Sequence, residues 1–243
     1  MKLNPWKTPP LRAMGGAALA VDRHEEKFLL TPGEAAYAQR LLDGLLRRDR
    51  YSAQGAYYIR SLYFDTPGDG DYMDKVLGVS DRRKVRLRLY DTDAPRVRLE
   101  LKEKSGSYSH KTGLWLSREE AEALIAGDAS VLLRQDTAAA RRAWTQFARM
   151  PRRPAALIDY ERTAWTMPVE RVRITLDSHV RAARSSALFD PRVPMLGVHS
   201  GEAVILEVKY DRYLPGYVRQ ALSTIGGQGM SISKYAAARE MLY

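Results

Sequence analysis

The segment Arg82–Tyr90 alternates between charged and apolar side chains. Arg82, Lys84, Arg86 and Arg88 fall on one face of an extended chain, and Arg83, Val85, Leu87 and Leu89 on the other. The split recurs along the chain. Arg96, Arg98, Glu100, Lys102 and Lys104 oppose Val97, Leu99 and Leu101, while Arg171, Arg173, Thr175 and Asp177 oppose Val172, Ile174 and Leu176. Glu207 and Lys209 oppose Val204, Leu206 and Val208, and Arg23, Glu25 and Lys27 share a face near the start. Anion binding is the chemistry such faces can do. A solvated sheet face usually mixes signs, whereas these are mostly cationic, and like charges opposed across a ladder repel. At ~4 Å and an effective dielectric of ~20, an unscreened like pair costs on the order of 4 kcal/mol. A bound anion would relieve that repulsion. The plainer arrangement is a sheet with its charged face in water; strands curled with that face inward give instead a barrel or tunnel lined with Arg and Lys.

Composition bounds the rest. The 243 residues carry 39 Lys plus Arg against 29 Asp plus Glu, a net charge of +10, with 45% hydrophobic residues. This is a globular chain sized for one large domain, or two small ones at most. We read residues 1–20 as a flexible amino-terminal tail and 21–243 as a single domain. The absence of cysteine excludes a disulfide scaffold, a thiol nucleophile and thiolate-bound metal. No run of eighteen apolar residues offers a membrane-spanning helix. A soluble protein of a reducing compartment with an anionic partner is the expected class. Lysine is scarce, yet Lys27, Lys84, Lys102, Lys104, Lys111, Lys209 and Lys234 all lie in these segments or beside the last helix.

The elements that must position these groups are legible. Thr31-Pro-Gly-Glu34 and Ser117-Arg-Glu-Glu120 are capping boxes that open helices running to about Arg48 and Gly127. A longer helix is expected over Asp128–Met150, and short ones over Gly216–Ile225 and Ser233–Leu242. Strands are expected at 21–30, 57–66, 82–91, 95–104, 108–116, 156–166, 169–180 and 203–211, with a loop over 181–202. The fold class is α+β: an antiparallel β-barrel or tunnel with a basic lumen, flanked by helices.

Nine short motifs resemble, in order, those of the polyphosphate polymerase domain of the vacuolar transporter chaperone (VTC) family. They are Arg23-His-Glu-Glu-Lys27-Phe, Arg60-Ser-Leu-Tyr-Phe-Asp65, Lys84-Val-Arg-Leu-Arg88, Glu100-Leu-Lys102-Glu-Lys104, the basic Lys111, Asp159-Tyr-Glu-Arg162, Arg173-Ile-Thr-Leu-Asp177, Glu207-Val-Lys209-Tyr and Ser233-Lys234-Tyr235. The resemblance implies a triphosphate tunnel (CYTH-like) fold. It also implies transfer of the ATP γ-phosphoryl group to growing inorganic polyphosphate with Mn²⁺ or Mg²⁺. It further implies a cytoplasmic location, at the inner face of a membrane through a membrane-protein partner.

In that scheme Arg86, Arg88, Lys209 and Lys234 act on the transferred group. Lys27, Arg60, Lys84, Lys102, Lys104, Lys111, Arg162 and Arg173 cradle phosphate. Glu207 is the first metal ligand by its match to the family, with Glu100, Glu25 and Asp177 behind it. Pairing of Glu25 and Glu100 with neighbouring cations is the competing role. Arg23 stands where hydrolases of the superfamily carry a glutamate, and its loss disfavours the orienting of a water. The alternatives are a hydrolase of triphosphate or polyphosphate, a non-catalytic polyphosphate sensor and a nucleic-acid-binding module. The enclosed charge pattern argues against nucleic acid, since a reader of nucleic acid exposes its basic patch. Tyr57, Tyr58, Tyr63 and Tyr72 suit either base stacking or packing.

Overall fold

The structure, a computed structural model, describes residues 24–106, 108–199 and 202–243. The tail read at 1–20 and the position of Arg23 lie outside the described residues. Strands β1 (His24–Leu30), β2 (Arg47–Arg48), β3 (Tyr57–Asp65), β4 (Arg82–Leu89), β5 (Arg96–Ser105) and β6 (Tyr108–Ser117) precede β7 (Arg153–Met167), β8 (Val172–Ala183), β9 (Leu196–Gly197), β10 (Val204–Tyr210) and β11 (Gln228–Gly229). The helices are α1 (Pro32–Leu45), α2 (Gly70–Val76), α3 (Arg118–Ile125), α4 (Ala138–Arg149), α5 (Gly216–Ser223) and α6 (Lys234–Leu242).

Both capping boxes form. Thr31 and Ser117 side chains accept from the N–H of Glu34 and Glu120, whose carboxylates accept from the cap N–H in return. The helix expected over Asp128–Met150 is two pieces. A 3₁₀ turn over Ala129–Arg134 ends at the extended Gln135, and the Thr137 side chain then caps α4 by accepting from Ala140 N–H. Helix α2 was not foreseen, because its organiser is tertiary: the buried Asp65 carboxylate accepts from Asp71 and Tyr72 N–H at the helix start. The loop expected over 181–202 is shorter, because β8 continues to Ala183 and β9 pairs with it.

All the strands join one antiparallel sheet in the order β11-β1-β10-β8-β7-β3-β4-β5-β6, with β2 beside β7 and β9 beside β8. The sheet curls so that its two flanks face each other without a ladder between them among the described residues. The tunnel is therefore an open curl, not a closed ring. The reason lies at β1: β11 pairs with that strand's free edge, and Met230 N–H donates to the Lys27 carbonyl. The edge that β6 would need is already taken.

The apolar faces do what alternation demands. Leu62, Val85, Leu87, Leu99, Leu101 and Leu116 pack outward under α3 and α4, and Trp165, Ile174, Leu206 and Val208 pack under α1 and α5. Each such fully buried side chain contributes about 1.5–3 kcal/mol. Helix α6 enters the curl instead: Tyr235 and Ala238 pack on Ile158, Val180, Ala182 and Ile205. The polar part of the inner face is left as a lumen roofed by cations.

Candidate functional site

Two walls make the lumen. On the first, the β1–β10 register sets Glu25 opposite Lys209 and Lys27 opposite Glu207. Lys27 Nζ lies 2.9 Å from Glu25 and donates to the Ile232 carbonyl at 3.1 Å, while Lys209 contacts Glu207 closely and Glu25 at 3.8 Å. Next in the sheet, Arg162 grips Asp177 through two hydrogen bonds of 2.6 and 2.7 Å, and Lys234 donates to the same carboxylate. Arg173 is held at 2.9 Å by Asp49 and donates to Tyr57 Oη.

The second wall is more strongly basic. Its register opposes Lys84 to Lys102 and Lys102 to Lys111, and Arg88 to Arg98, with the Arg86–Glu100 pair between those rows. Glu100 is buried and serves four cations: Arg86 at 2.6 Å, Lys111 at 2.7 Å, Arg88 at 3.6 Å and Arg98 at 3.8 Å. Gly113 permits this crowding, since a Cβ there would stand 2.9 Å from the Arg98 guanidinium. Arg88 also donates to Tyr160 Oη and Ser61 Oγ, and Arg86 to Tyr63 Oη at 2.8 Å.

The charges reset one another. Burial opposes ionisation of Glu25, Glu100, Asp177 and Glu207, but their lysine and arginine neighbours outweigh it. All four carboxyls are held below the ordinary range, Asp177 at about 2. Lys84 has no carboxylate partner among the described residues; its Nζ donates to Ser233 Oγ at 2.9 Å. Burial first, then Lys27, Arg86 and Lys102, bring its ammonium down to about 8. Burial raises the Tyr63 phenol, but Arg86, Lys84 and Arg88 more than cancel it and leave it at about 8. The lumen is thus a preorganised site short of negative charge.

Oxygen donors for a cation are few. Among the described residues no group of three or more His, Asp or Glu converges. Glu100 and Asp177 are committed to cations on every side. Glu25 and Glu207 share Lys209, and directly across the ladder from Glu207 the buried Thr175 hydroxyl makes no hydrogen bond among the described residues. These three oxygen-bearing side chains are the ones that fit a divalent ion, the remaining coordination falling to phosphate oxygens and water.

A model of the VTC domain family matches residues 22–243. The chain belongs to the VTC domain family. No curated protein matches it. Among solved structures it resembles a Hippeastrum protein assigned as an adenylyl cyclase and described as having a dominant triphosphatase activity. The identity is 16% and the TM-score 0.54, over 90% of this chain and 97% of that one. An adenylate cyclase-assigned protein of Bacillus halodurans follows at 12% identity and TM-score 0.48, covering 87% and 96%. The fold is that of the triphosphate tunnel (CYTH-like) proteins.

Within this VTC domain the curl brings together Glu25, Lys27, Lys84, Arg86, Arg88, Glu100, Lys102, Lys111, Arg162, Arg173, Asp177, Glu207, Lys209 and Lys234. Two expected residues sit elsewhere. Arg60 shares its strand face with Leu62 and Phe64, outside the lumen; buried, it pairs with Asp159 at 3.1 Å and donates to the Asp190 carbonyl. Lys104 lies on the lumen side but at the far, exposed end of β5, opposite Arg82. Sequence reasoning gave no site role to Arg98, Tyr160 or Ser233, although each lies in a charged face or motif that it singled out, and left Tyr63 undecided. Strand alternation marks Arg98, Ser61 and Tyr63, whereas Ser233 arrives only through α6.

Proposed function

We propose that this VTC domain transfers the γ-phosphoryl group of ATP to the end of an inorganic polyphosphate chain held in the lumen. The observation that carries the reading is the pairing of a lumen short of negative charge, centred on Lys84 with no carboxylate partner among the described residues, with the Glu25–Glu207 carboxylate pair on the facing wall. Phosphoryl transfer needs chiefly positioning and charge neutralisation. Arg86, Arg88 and Lys234 converge near Tyr160 and suit the equatorial oxygens of the transferred group. Lys84, Lys102 and Lys111 form a row suited to successive phosphates of the chain. Lys209, Arg162 and Arg173 line the opposite wall and suit the nucleotide's phosphates. Arg60 has no part in this scheme, and Lys104 belongs to the path at the rim. The acceptor is a phosphate already ionised near neutral pH, so no general base is required.

Glu25, Glu207 and Thr175 are the residues that would hold Mn²⁺ or Mg²⁺. When bound, such an ion neutralises charge on the bridging phosphate oxygens. Incoming phosphate offers Lys209 and Lys27 a stronger partner and thereby frees both carboxylates. The same two carboxylates could orient a water, and that observation favours triphosphate or polyphosphate hydrolysis as the second reading. Phosphorus NMR of the protein with ATP and Mn²⁺ separates the two. An internal chain-phosphate signal growing with ADP supports the transferase, and orthophosphate alone establishes the hydrolase. Tight polyphosphate binding with no turnover leaves the sensor.

A further inference from the structure

The mouth of the lumen at the start of β3 carries an aromatic shelf that the phosphate chemistry does not use. Tyr57, on the inner face of β3, lies 5.9 Å from Tyr51 and 6.2 Å from Tyr90, ring centre to ring centre, with the ring planes tilted by 53° and 47°, so that a base would stack on one ring and contact the others at their edges. Tyr51 and Tyr90 are 48% and 39% exposed. Their position is fixed. The Asp49 carboxylate accepts from Tyr51 and Ser52 N–H, the Ser52 hydroxyl accepts from Ala164 N–H, and Asp49 N–H donates to the Ala164 carbonyl. The same Asp49 holds Arg173, whose guanidinium donates to Tyr57 Oη, so shelf and basic wall are one hydrogen-bonded unit. Arg50 covers Tyr51 at 4.6 Å and donates to its hydroxyl. Burial first, with Asp49 adding to it, raises the Tyr57 phenol to about 12, so its ring stays neutral at working pH.

We propose that Tyr51, Tyr57 and Tyr90 form a stacking platform for the base of a nucleoside triphosphate whose phosphates extend inward past Arg173 and Arg162. The inference rests on the reading that the lumen takes a nucleotide. It adds the direction of entry and a recognition mode. A ring stacks on any base, so the stacking discriminates nucleotide from bare polyphosphate and not purine from purine.

The test compares ATP, GTP and tripolyphosphate binding by calorimetry in the wild type, Tyr51→Ala and Tyr90→Ala, both exposed positions that spare the core. Fluorescence of 2-aminopurine riboside triphosphate serves as a second readout, since stacking quenches it. The expected result is about a tenfold loss of ATP and GTP affinity in each variant, with tripolyphosphate held within twofold. Quenching of the probe by the wild type should be relieved in the variants. Equal weakening of all three ligands, or unchanged ATP affinity with unchanged quenching, overturns the platform while leaving the phosphate site intact. A wild type that binds tripolyphosphate but no nucleotide overturns the platform and the transferase reading. A wild type that binds none of them overturns the lumen reading as well.

Discussion

Glu25 on β1 and Lys102 on β5 have five strands between them in the sheet order, yet their charged atoms stand 3.7 Å apart. The contact spans the open seam of the curl. It is half exposed, and such pairs are worth about 0–1 kcal/mol. Its importance is positional: it brings the row of lysines on β4–β6 to face the carboxylates of the other wall. Lys102→Ala should change the stability measured in urea by less than about 1 kcal/mol. The same variant should weaken tripolyphosphate binding about fivefold in a calorimetric titration. Unchanged affinity would remove Lys102 from the anion path.

Glu100 is the buried counter-charge for its wall. Replacing it by Gln leaves several cations uncompensated, and the loss of one partner from a buried ionic cluster costs about 3–5 kcal/mol. Glu100→Gln should therefore melt well below the wild type in buffer and recover most of the difference in saturating tripolyphosphate. A variant that tripolyphosphate does not rescue would mean the ligand does not reach this wall.

Proton uptake should accompany binding. Folded Lys84 titrates at about 8 against its ordinary 10.5, and Tyr63 at about 8 against 10.0. Above pH 8 the lysine loses a positive charge and the phenol gains a negative one, so both weaken anion binding. Tripolyphosphate affinity should fall from pH 7.5 to 9.5, with protons taken up near pH 8; calorimetry in two buffers of different ionisation enthalpy measures this. For the free protein the sign is the reverse. Between about pH 8 and 10 the unfolded chain holds more protons at these two groups than the folded one, so their contribution to stability rises with pH. Lys84→Met should remove most of the uptake, and uptake that persists in full would assign it to other groups.

Arg60 and Lys234 make a matched contrast. Both sit in motifs shared with the VTC family, but they lie on opposite sides of the sheet. Arg60→Met should destabilise the fold by about 1.5–3 kcal/mol, because it removes a buried charged hydrogen bond and leaves Asp159 with only Arg181 and Tyr58 as partners. It should leave the tripolyphosphate affinity of the folded protein within twofold. Lys234→Ala should lower that affinity about tenfold. The reverse ranking would place Arg60 in the lumen.

This contrast also measures what the sequence made legible. Alternation in β4 and β5 separates Arg86 and Glu100 from Leu87 and Leu99 with no tertiary knowledge, since the period of a strand is two. The same arithmetic on β3 puts Arg60 with Leu62 and Phe64 and puts Tyr63 inside; motif position obscured it. Other features were out of reach. Ser233 and Lys234 act because α6 turns into the curl, and Met230 bars closure because its segment runs along β1. These contacts are 149 residues apart in sequence for Lys84–Ser233, 57 for Asp177–Lys234 and about two hundred for Lys27–Met230, and no local pattern encodes them. The break at Gln135 was open to reading from Thr137, a capping residue inside the expected helix.

The carboxylate wall has its own signature. Glu207→Gln should abolish turnover that depends on Mn²⁺ or Mg²⁺ while tripolyphosphate binding without metal persists or tightens, because a negative charge has left the lumen. Retained metal-dependent turnover would move the metal to other oxygens, and lost binding would make Glu207 a structural partner of Lys209.

All of this depends on an anionic phosphate chain seated in the curl, and titration with tripolyphosphate followed by melting tests it most directly. At about one hundred times the dissociation constant, a ligand specific for the folded state adds about 2.7 kcal/mol. For a chain of this size that is a rise in Tm of roughly 5–10 °C. The rise should survive ~200 mM salt, at which binding of duplex DNA to an exposed basic surface is largely lost. A melting temperature unmoved by tripolyphosphate, or moved only as far as duplex DNA moves it and equally salt-sensitive, would contradict the account.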